Sequence, residues 1–375
     1  MTQPQPKVFI LGFGSIGVLL ASHLQRNTQI SIVPLLRSEK RLQDFEELQR
    51  KASIKSLFKE GQPSYESVFS DATCPELFPR DWKIDNLIIT TKTYQTKDAL
   101  APFMKFLHPQ TNVMLVQNGL GVFEVLNDEI FLDYKPNLFQ GVISHGIFHE
   151  SGFSFNHAGF GDLKVSRLPS KDPQSIVQTK ELVETDQKNN ELVKVLSQPD
   201  FIQGLNVKHL TYQEMLLGQL EKFLVNACIN PITSIVDCIN GELRDVAGPI
   251  FSSIISEALD VLKIAYKPLF DYKPENDNFP NLDVAGVLNR DRMLDFVLKI
   301  GCIVNGTNSS SMRQDVVNLR ETEVDYINGY IVKLCGKLGL GPDYCKTNQT
   351  IETLVKLRLG LNRGRAKYGD QRKKE

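Results

Sequence analysis

Apolar positions change their rhythm a little past the middle of the chain. The first half carries short apolar runs separated by polar turns, the spacing of strands alternating with helices. Lys7 to Leu11 (K-V-F-I-L) reads as a buried strand, followed by Gln29 to Leu36, Asp85 to Thr91, Asn112 to Gln117 and Leu138 to Phe148. Phe153 to Val165 reads as a further extended pair. Residues 38 to 83 interrupt the α/β rhythm with an amphipathic helix (Leu42, Phe45, Leu48) and a polar, hairpin-like stretch around Gly61, to which no chemistry is assigned. Pro169 to Asn206 turns polar, which places a domain boundary near residue 206. Helical spacing then dominates, over 209 to 230, 249 to 267, 283 to 303, 312 to 338 and 349 to 361. The pattern therefore predicts an α/β domain over 1–206, an all-α domain over 207–365 and a basic, frayed tail over 366–375.

Length and charge narrow the function classes. A chain of 375 residues is long enough for two domains, each with its own core. With 43 basic and 44 acidic side chains the net charge is −1, so no global field favours nucleic acid or an anionic membrane. No apolar run approaches the roughly 18 to 20 residues of a membrane span, and the N-terminus lacks a secretory signal, so the expected compartment is the cytoplasm. The six cysteines, at 74, 228, 238, 302, 335 and 345, form no C-x-x-C pair and read as free thiols. His145, His149 and His157 have no carboxylate cluster beside them, so they are read as strand and turn residues and no metal is expected.

Candidate chemistry starts at the first strand. It runs into G-F-G-S-I-G (Gly12, Phe13, Gly14, Ser15, Ile16, Gly17) and then V-L-L-A-S-H-L, a strand, a glycine turn and a helix. Gly12 suits the tight turn, Gly14 the approach of a pyrophosphate to the backbone, and Gly17 the close packing of helix on strand. The helix N-terminus then receives the phosphates. About twenty residues on, an NAD site would carry an acidic residue for the ribose 2′-hydroxyl; here Arg37 stands, with Lys40 and Arg41 after it. A guanidinium suits a 2′-phosphate, so NADPH is expected over NADH. Two later strands deliver Lys92 and Asn118 at their C-terminal ends, where ligands of open parallel sheets bind.

The second focus is E-K-F-L-V-N-A-C-I-N-P, Glu221 to Pro231. Lys222, Asn226 and Asn230 are spaced i, i+4, i+8, which puts three polar groups on one helix face within an arc of roughly 80°. Leu216, Leu217, Leu220 and Cys228 make the segment apolar, a poor candidate for a plain surface helix. A lysine in such surroundings is a usable proton donor near neutral pH. The competing reading is a snorkelling lysine and two asparagines satisfying helix ends, since Pro231 stops or kinks the helix. Further on, Ser311 and Gln314 have the spacing of a capping box, opening a helix that carries Glu323.

Together these motifs resemble those of the 2-dehydropantoate 2-reductase (ketopantoate reductase) family in its longer fungal form. The resemblance rests on G-F-G-S-I-G, T-T-K-T-Y at 90 to 94, Q-N-G-L-G at 117 to 121, the Glu221 to Pro231 stretch, N-G-E-L at 240 to 243, N-S-S-S-M-R-Q-D at 308 to 315 and E-V-D-Y-I-N-G at 323 to 329. It implies a Rossmann domain followed by a helical domain of the 6-phosphogluconate dehydrogenase type. It also implies NADPH-dependent reduction of 2-dehydropantoate to (R)-pantoate, on the route to vitamin B5 and coenzyme A. By position, Lys222 takes the general-acid role, and Asn226, Asn230, Asn240 and Ser311 take the substrate contacts. Asn118 touches both ligands, and Lys92, Gly146 and Glu323 line the cofactor. On a continuous helix Glu323 would lie about 18 Å of rise from Ser311, which puts it on the nicotinamide side or against Lys222. The remaining alternative for Glu323 is an exposed helical carboxylate pairing with Arg320 or nearby lysines. The motifs leave open another 2-oxo acid as substrate, a non-catalytic dinucleotide-binding relative, and a homodimer.

Overall fold

The computed structural model describes residues 6–58, 64–169 and 176–368. The chain divides into two compact units. The first is Met1–Gln117, Phe123–Met215 and Glu275–Pro280; the second is Asn118–Val122, Leu216–Pro274 and Asn281–Glu375. The main crossing falls at Met215 and Leu216, inside a helix, whereas the change in sequence pattern lies near residue 206.

The first unit is built on a seven-stranded sheet. Its strands are β1 (Lys7–Leu11), β2 (Ser31–Leu35), β5 (Asn86–Ile89), β6 (Asn112–Val116), β7 (Asn137–Ile143), β10 (Leu163–Arg167) and β11 (Val207–His209). The spatial order is β11-β10-β7-β6-β5-β1-β2. From β2 to β7 every pairing is parallel, and β10 enters antiparallel to β7. β5 and β6 are buried along their whole length, which is why they read as unbroken apolar runs. β1 lies between β2 and β5, so the chain leaves it first to one side and later to the other. Such a reversal opens a crevice at the carboxyl ends of the strands, where the glycine turn sits.

The 38 to 83 segment contributes the helix Glu39–Glu47 and two strands, β3 (Lys51–Ser56) and β4 (Tyr65–Val68), paired antiparallel. The turn expected around Gly61 lies outside the described residues. β3 pairs with β9 (Ser154–Gly159) and β9 with β8 (Gly146–Ser151), giving a second sheet of order β4-β3-β9-β8. The expected single strand from Leu138 to Phe148 is therefore two strands in two sheets. It breaks at Ser144 and His145, where Ser144 N donates to Asp162 O (2.9 Å) and the His145 ring is buried. The Phe153 to Val165 pair divides in the same way, β9 to the small sheet and β10 to the large one.

His145 and His157 form a buried hydrogen-bonded pair. His145 Nε2 lies 3.0 Å from Leu205 O, so it carries the proton. Its Nδ1 then accepts from His157 Nε2 at 3.0 Å and from Gly161 N at 3.2 Å. Burial lowers both pKa values, that of His157 to about 4, with the neighbouring His145 adding to the effect. A proton on His145 Nδ1 would face two donors, so the pair stays neutral. An unfolded histidine titrates near 6.5 and takes up a proton that the folded pair refuses. For His157 stability is expected to fall as pH drops from about 6.5 toward 4, by roughly 1 kcal/mol per pH unit, and the lowered pKa of His145 acts in the same direction. Urea unfolding across that range checks this, and His157→Gln should flatten the slope; an unchanged slope in that variant would assign the effect elsewhere.

The second unit is helical. The helix Tyr212–Val236 runs into it, followed by Gly248–Ala265, Arg290–Val297, Ser311–Val317, Asn328–Lys337 and Lys346–Tyr368, with shorter turns between. Three expectations are corrected here. The first helix continues through Pro231 to Val236, and Asn328 Nδ2 donates to Ala227 O (3.1 Å), the carbonyl that an N–H at position 231 would otherwise reach. The expected 312 to 338 helix is broken after Val317. Leu319 adopts φ +57, and Arg320 N returns to Asp315 O at 2.8 Å, a left-handed stop made without glycine. The last helix extends to Tyr368, so the first residues of the expected tail are helical, and 369–375 lie outside the described residues. Among the described residues no helix is long and apolar enough to cross a membrane.

Candidate active site

Each glycine of the turn has a separate physical reason. Gly12 takes φ +97, and a Cβ there would lie 2.6 Å from Thr91 N. A Cβ on Gly17 would fall on the Gly12 carbonyl oxygen and within 2.8 Å of Thr90 Oγ1. Thr90 Oγ1 in turn donates to Gly12 O, so the end of β5 holds the turn in place. A Cβ on Gly14 would meet nothing within 4 Å, so that glycine keeps space open rather than relieving a clash. This is the cradle that a pyrophosphate needs above a helix N-terminus. Ser15 and Ile16 are half-buried beside it. The Phe13 side chain is core, packed against Phe45, Phe69 and Phe153, so only its backbone is available to a ligand.

At the neighbouring strand ends, Gln117 Nε2 donates to Thr91 O at 2.6 Å and also to Thr96 Oγ1, and Thr96 Oγ1 donates to Lys92 O at 3.3 Å. This ties the loop carrying Lys92 to the strand that delivers Asn118. Sequence reasoning passed over Gln117, although it opens Q-N-G-L-G. Arg37 follows β2, is exposed, and has no ion-pair partner among the described residues. Arg41 is committed elsewhere: its guanidinium donates to Gly152 O (2.9 Å) and stacks on Phe153. Gly146 opens β8 and is exposed opposite Gly159.

The second unit gathers Asn118, Lys222, Asn226, Asn230, Asn240, Ser311 and Glu323. Lys222, Asn226 and Asn230 lie on one uninterrupted helix; the first two are half-buried, while Phe223, Leu224, Ala227, Cys228 and Ile229 are buried around them. Lys222 and Asn226 therefore lie on the more open face of an otherwise buried helix, and Asn230 is buried at 9% exposure. Glu221, beside Lys222, forms an ion pair with Arg292. Asn240 is 6% exposed, and its Oδ1 is buried without a hydrogen-bond partner among the described residues. A buried acceptor carries a free-energy cost unless a donor reaches it. Asn118 precedes a loop docked by its glycines. Gly119 (φ +80) would place a Cβ 2.6 Å from Tyr326 O, Leu120 N donates to that same carbonyl at 3.0 Å, and Gly121 packs on the Tyr330 ring.

The serine motif is shifted by one residue from its expected reading. Ser310, not Ser311, is the N-cap: it accepts from Arg313 N at 3.1 Å and is held by Thr233 Oγ1 at 2.7 Å. Burial of the Ser310 hydroxyl against Thr233 fixes the register. Ser311 becomes the first helical residue, exposed, with no side-chain hydrogen bond among the described residues. Glu323 lies beyond the broken helix, just before the short turn Val324–Tyr326, and is 5% exposed. The helical-rise separation from Ser311 therefore does not apply. Nor is Glu323 an exposed partner of Arg320, which pairs with Asp315 at 3.1 Å.

Among the described residues no group of three or more His, Cys, Asp or Glu side chains could hold a metal ion. A parallel sheet with a phosphate-cradling glycine turn, followed by a helical unit bearing a lysine and asparagine stripe, is the build of a dinucleotide-dependent oxidoreductase. The family model for "Ketopantoate reductase PanE/ApbA" matches residues 8–170, and that for its C-terminal part matches 214–358. A 2-dehydropantoate 2-reductase of Saccharomyces cerevisiae is 49% identical over 380 residues, covering both chains completely. A probable 2-dehydropantoate 2-reductase of Schizosaccharomyces pombe is 40% identical, over 96% of this chain and 98% of its own. A D-mandelate dehydrogenase solved with NADH and anilino(oxo)acetate shares the fold at TM-score 0.71 and 19% identity, over 96% of this chain and 99% of that one. The chain belongs to the ketopantoate reductase family.

Proposed function

We propose that the protein reduces 2-dehydropantoate to (R)-pantoate with NADPH, on the route to pantothenate and coenzyme A. The observation that carries this reading is the Lys222, Asn226 and Asn230 stripe, joined in the same unit by the unpartnered acceptor of Asn240. The open cradle at Gly14 and the exposed Arg37 fit the pyrophosphate and 2′-phosphate of NADPH. Backbone groups of Gly12 to Gly17 would hold the first and Arg37 the second, with Lys92, Gly146 and Glu323 lining the cofactor.

Bound NADPH supplies the hydride that reduces C2 of the oxo acid. Negative charge then develops on the carbonyl oxygen, and Lys222 acts there: its ammonium polarises the oxygen and transfers a proton to it. Asn226, Asn230 and Asn118 orient the substrate through amides that both donate and accept. Asn240 Oδ1 accepts from the substrate's free hydroxyl, which answers its missing partner. The free Ser311 hydroxyl donates to the substrate carboxylate.

Loss of NADPH absorbance with 2-dehydropantoate, run beside a panel of branched 2-oxo acids, tests the reading. Turnover is expected to be fastest with 2-dehydropantoate. A kcat/KM higher by about tenfold for another oxo acid would overturn the substrate assignment. Arg37→Ala is expected to weaken NADPH by about tenfold or more while leaving NADH within about twofold, since charge-assisted bonds to the 2′-phosphate are lost. Equal loss of both would mean that Arg37 does not read the 2′-phosphate.

A further inference from the structure

Pro231 leaves a gap in the helix that carries the site. Residue i of an α-helix donates to the carbonyl of i−4, so a proline at 231 strands the oxygen of Ala227. Ala227 follows Asn226 directly, and Pro231 follows Asn230, so the gap lies within the stripe. A stranded buried carbonyl is where a helix tilts, opens or takes in water.

Asn328 fills the gap. Its side chain is completely buried, and Nδ2 donates to Ala227 O at 3.1 Å and to Asn348 Oδ1 at 3.1 Å. Asn348, also fully buried, donates from Nδ2 to Glu257 Oε2 at 3.0 Å and to Ile254 O at 3.3 Å. The Glu257 carboxylate also accepts from Thr347 N at 2.8 Å and Asn348 N at 3.0 Å, at the start of the last helix. The chain Glu257, Asn348, Asn328, Ala227 thus anchors the broken turn to three other helices, Gly248–Ala265, Asn328–Lys337 and Lys346–Tyr368. Asn328 Oδ1 is buried without a hydrogen-bond partner among the described residues. Rotating the amide would point that oxygen at two acceptors, so the donor orientation is fixed by its surroundings.

We propose that Asn328 is a positioning residue for the reaction: its amide stands in for the missing N–H of residue 231 and so holds Asn230 in register with Asn226 and Lys222. This rests on the function proposed above, in which those three side chains grip and protonate one small substrate. Packing alone would make Asn328 a structural residue. The proline gives it a defined partner, and that pairing can be tested.

Pro231→Ala restores a backbone N–H to Ala227 O and makes the side-chain donor redundant. Asn328→Leu should lower kcat/KM for the oxo acid at least tenfold in the native background, with NADPH affinity by fluorescence titration unchanged. In the Pro231→Ala background the same change should cost less than threefold. Equal losses in the two backgrounds would overturn the proposal, as would loss of NADPH affinity in step with kcat/KM. If Asn328→Leu does not fold alone, the double variant must fold with kcat/KM close to that of Pro231→Ala; failure of the double variant to fold also overturns it. Thermal unfolding of the four proteins reads the same coupling without substrate. Lack of turnover by the unmodified protein would sink the function, and the positioning role with it, whereas turnover without coupling sinks the role alone.

Discussion

Replacing Lys222 with alanine is expected to lower kcat by about a hundred- to ten-thousand-fold, the usual contribution of a positioned proton donor. The loss should fall on kcat because the ammonium is needed most as the carbonyl oxygen gains charge, and much less while the ground-state oxo acid is bound. NADPH affinity should barely change, since the cradle at Gly12 to Gly17 belongs to the other compact unit. The fold should survive as well: Lys222 is half-buried on the open face of its helix, and alanine is a strong helix former. Single-turnover kinetics with saturating NADPH separates the chemical step from release. A kcat unchanged in Lys222→Ala would remove this residue as the acid and turn attention to Glu323, the nearly buried carboxylate of the same unit.

Gly17→Ala should damage fold and cofactor binding together. The new methyl would fall on the Gly12 carbonyl and crowd Thr90, so helix and strand must separate. Overpacking of this kind costs about 1 to 3 kcal/mol, and the displaced turn should weaken NADPH more than tenfold. Gly14→Ala is the contrasting variant. Its methyl meets no protein atom within 4 Å, so unfolding should be nearly unchanged while NADPH affinity falls. Thermal unfolding and NADPH titration of the two variants separate the roles. If Gly14→Ala bound NADPH normally, the space above that glycine would not be the pyrophosphate site.

Much of this was legible in the sequence because it is local. A strand, a glycine turn and a helix read as such from spacing, and i, i+4, i+8 polar positions share a face wherever a helix forms. The misreadings also have local causes. Nothing in V-N-L-R marks Leu319 as a left-handed stop, since glycine is the usual signal and it is absent. Three consecutive serines offer equivalent N-caps, and only the contact of Ser310 with Thr233 selects one. Leu138 to Phe148 is continuously compatible with a strand, and no local term shows that its two ends join different sheets. The histidine pair was invisible because His145 meets His157 only once the chain breaks after β7 and β8 pairs with β9.

What the sequence determined alone is the identity and spacing of the chemistry: the three glycines, Arg37, and a lysine with two asparagines on a shared face. Tertiary structure decided which of these groups are held, and by what. Pro231 should have ended the helix that carries the stripe, and the chain alone gives no reason why it does not. The donor that completes the turn comes from Asn328, ninety-seven positions further along. A backbone hydrogen bond can be forecast from neighbouring residues because covalent geometry places its partners. A side chain standing in for one is fixed only by the packing of distant helices, which no local pattern encodes.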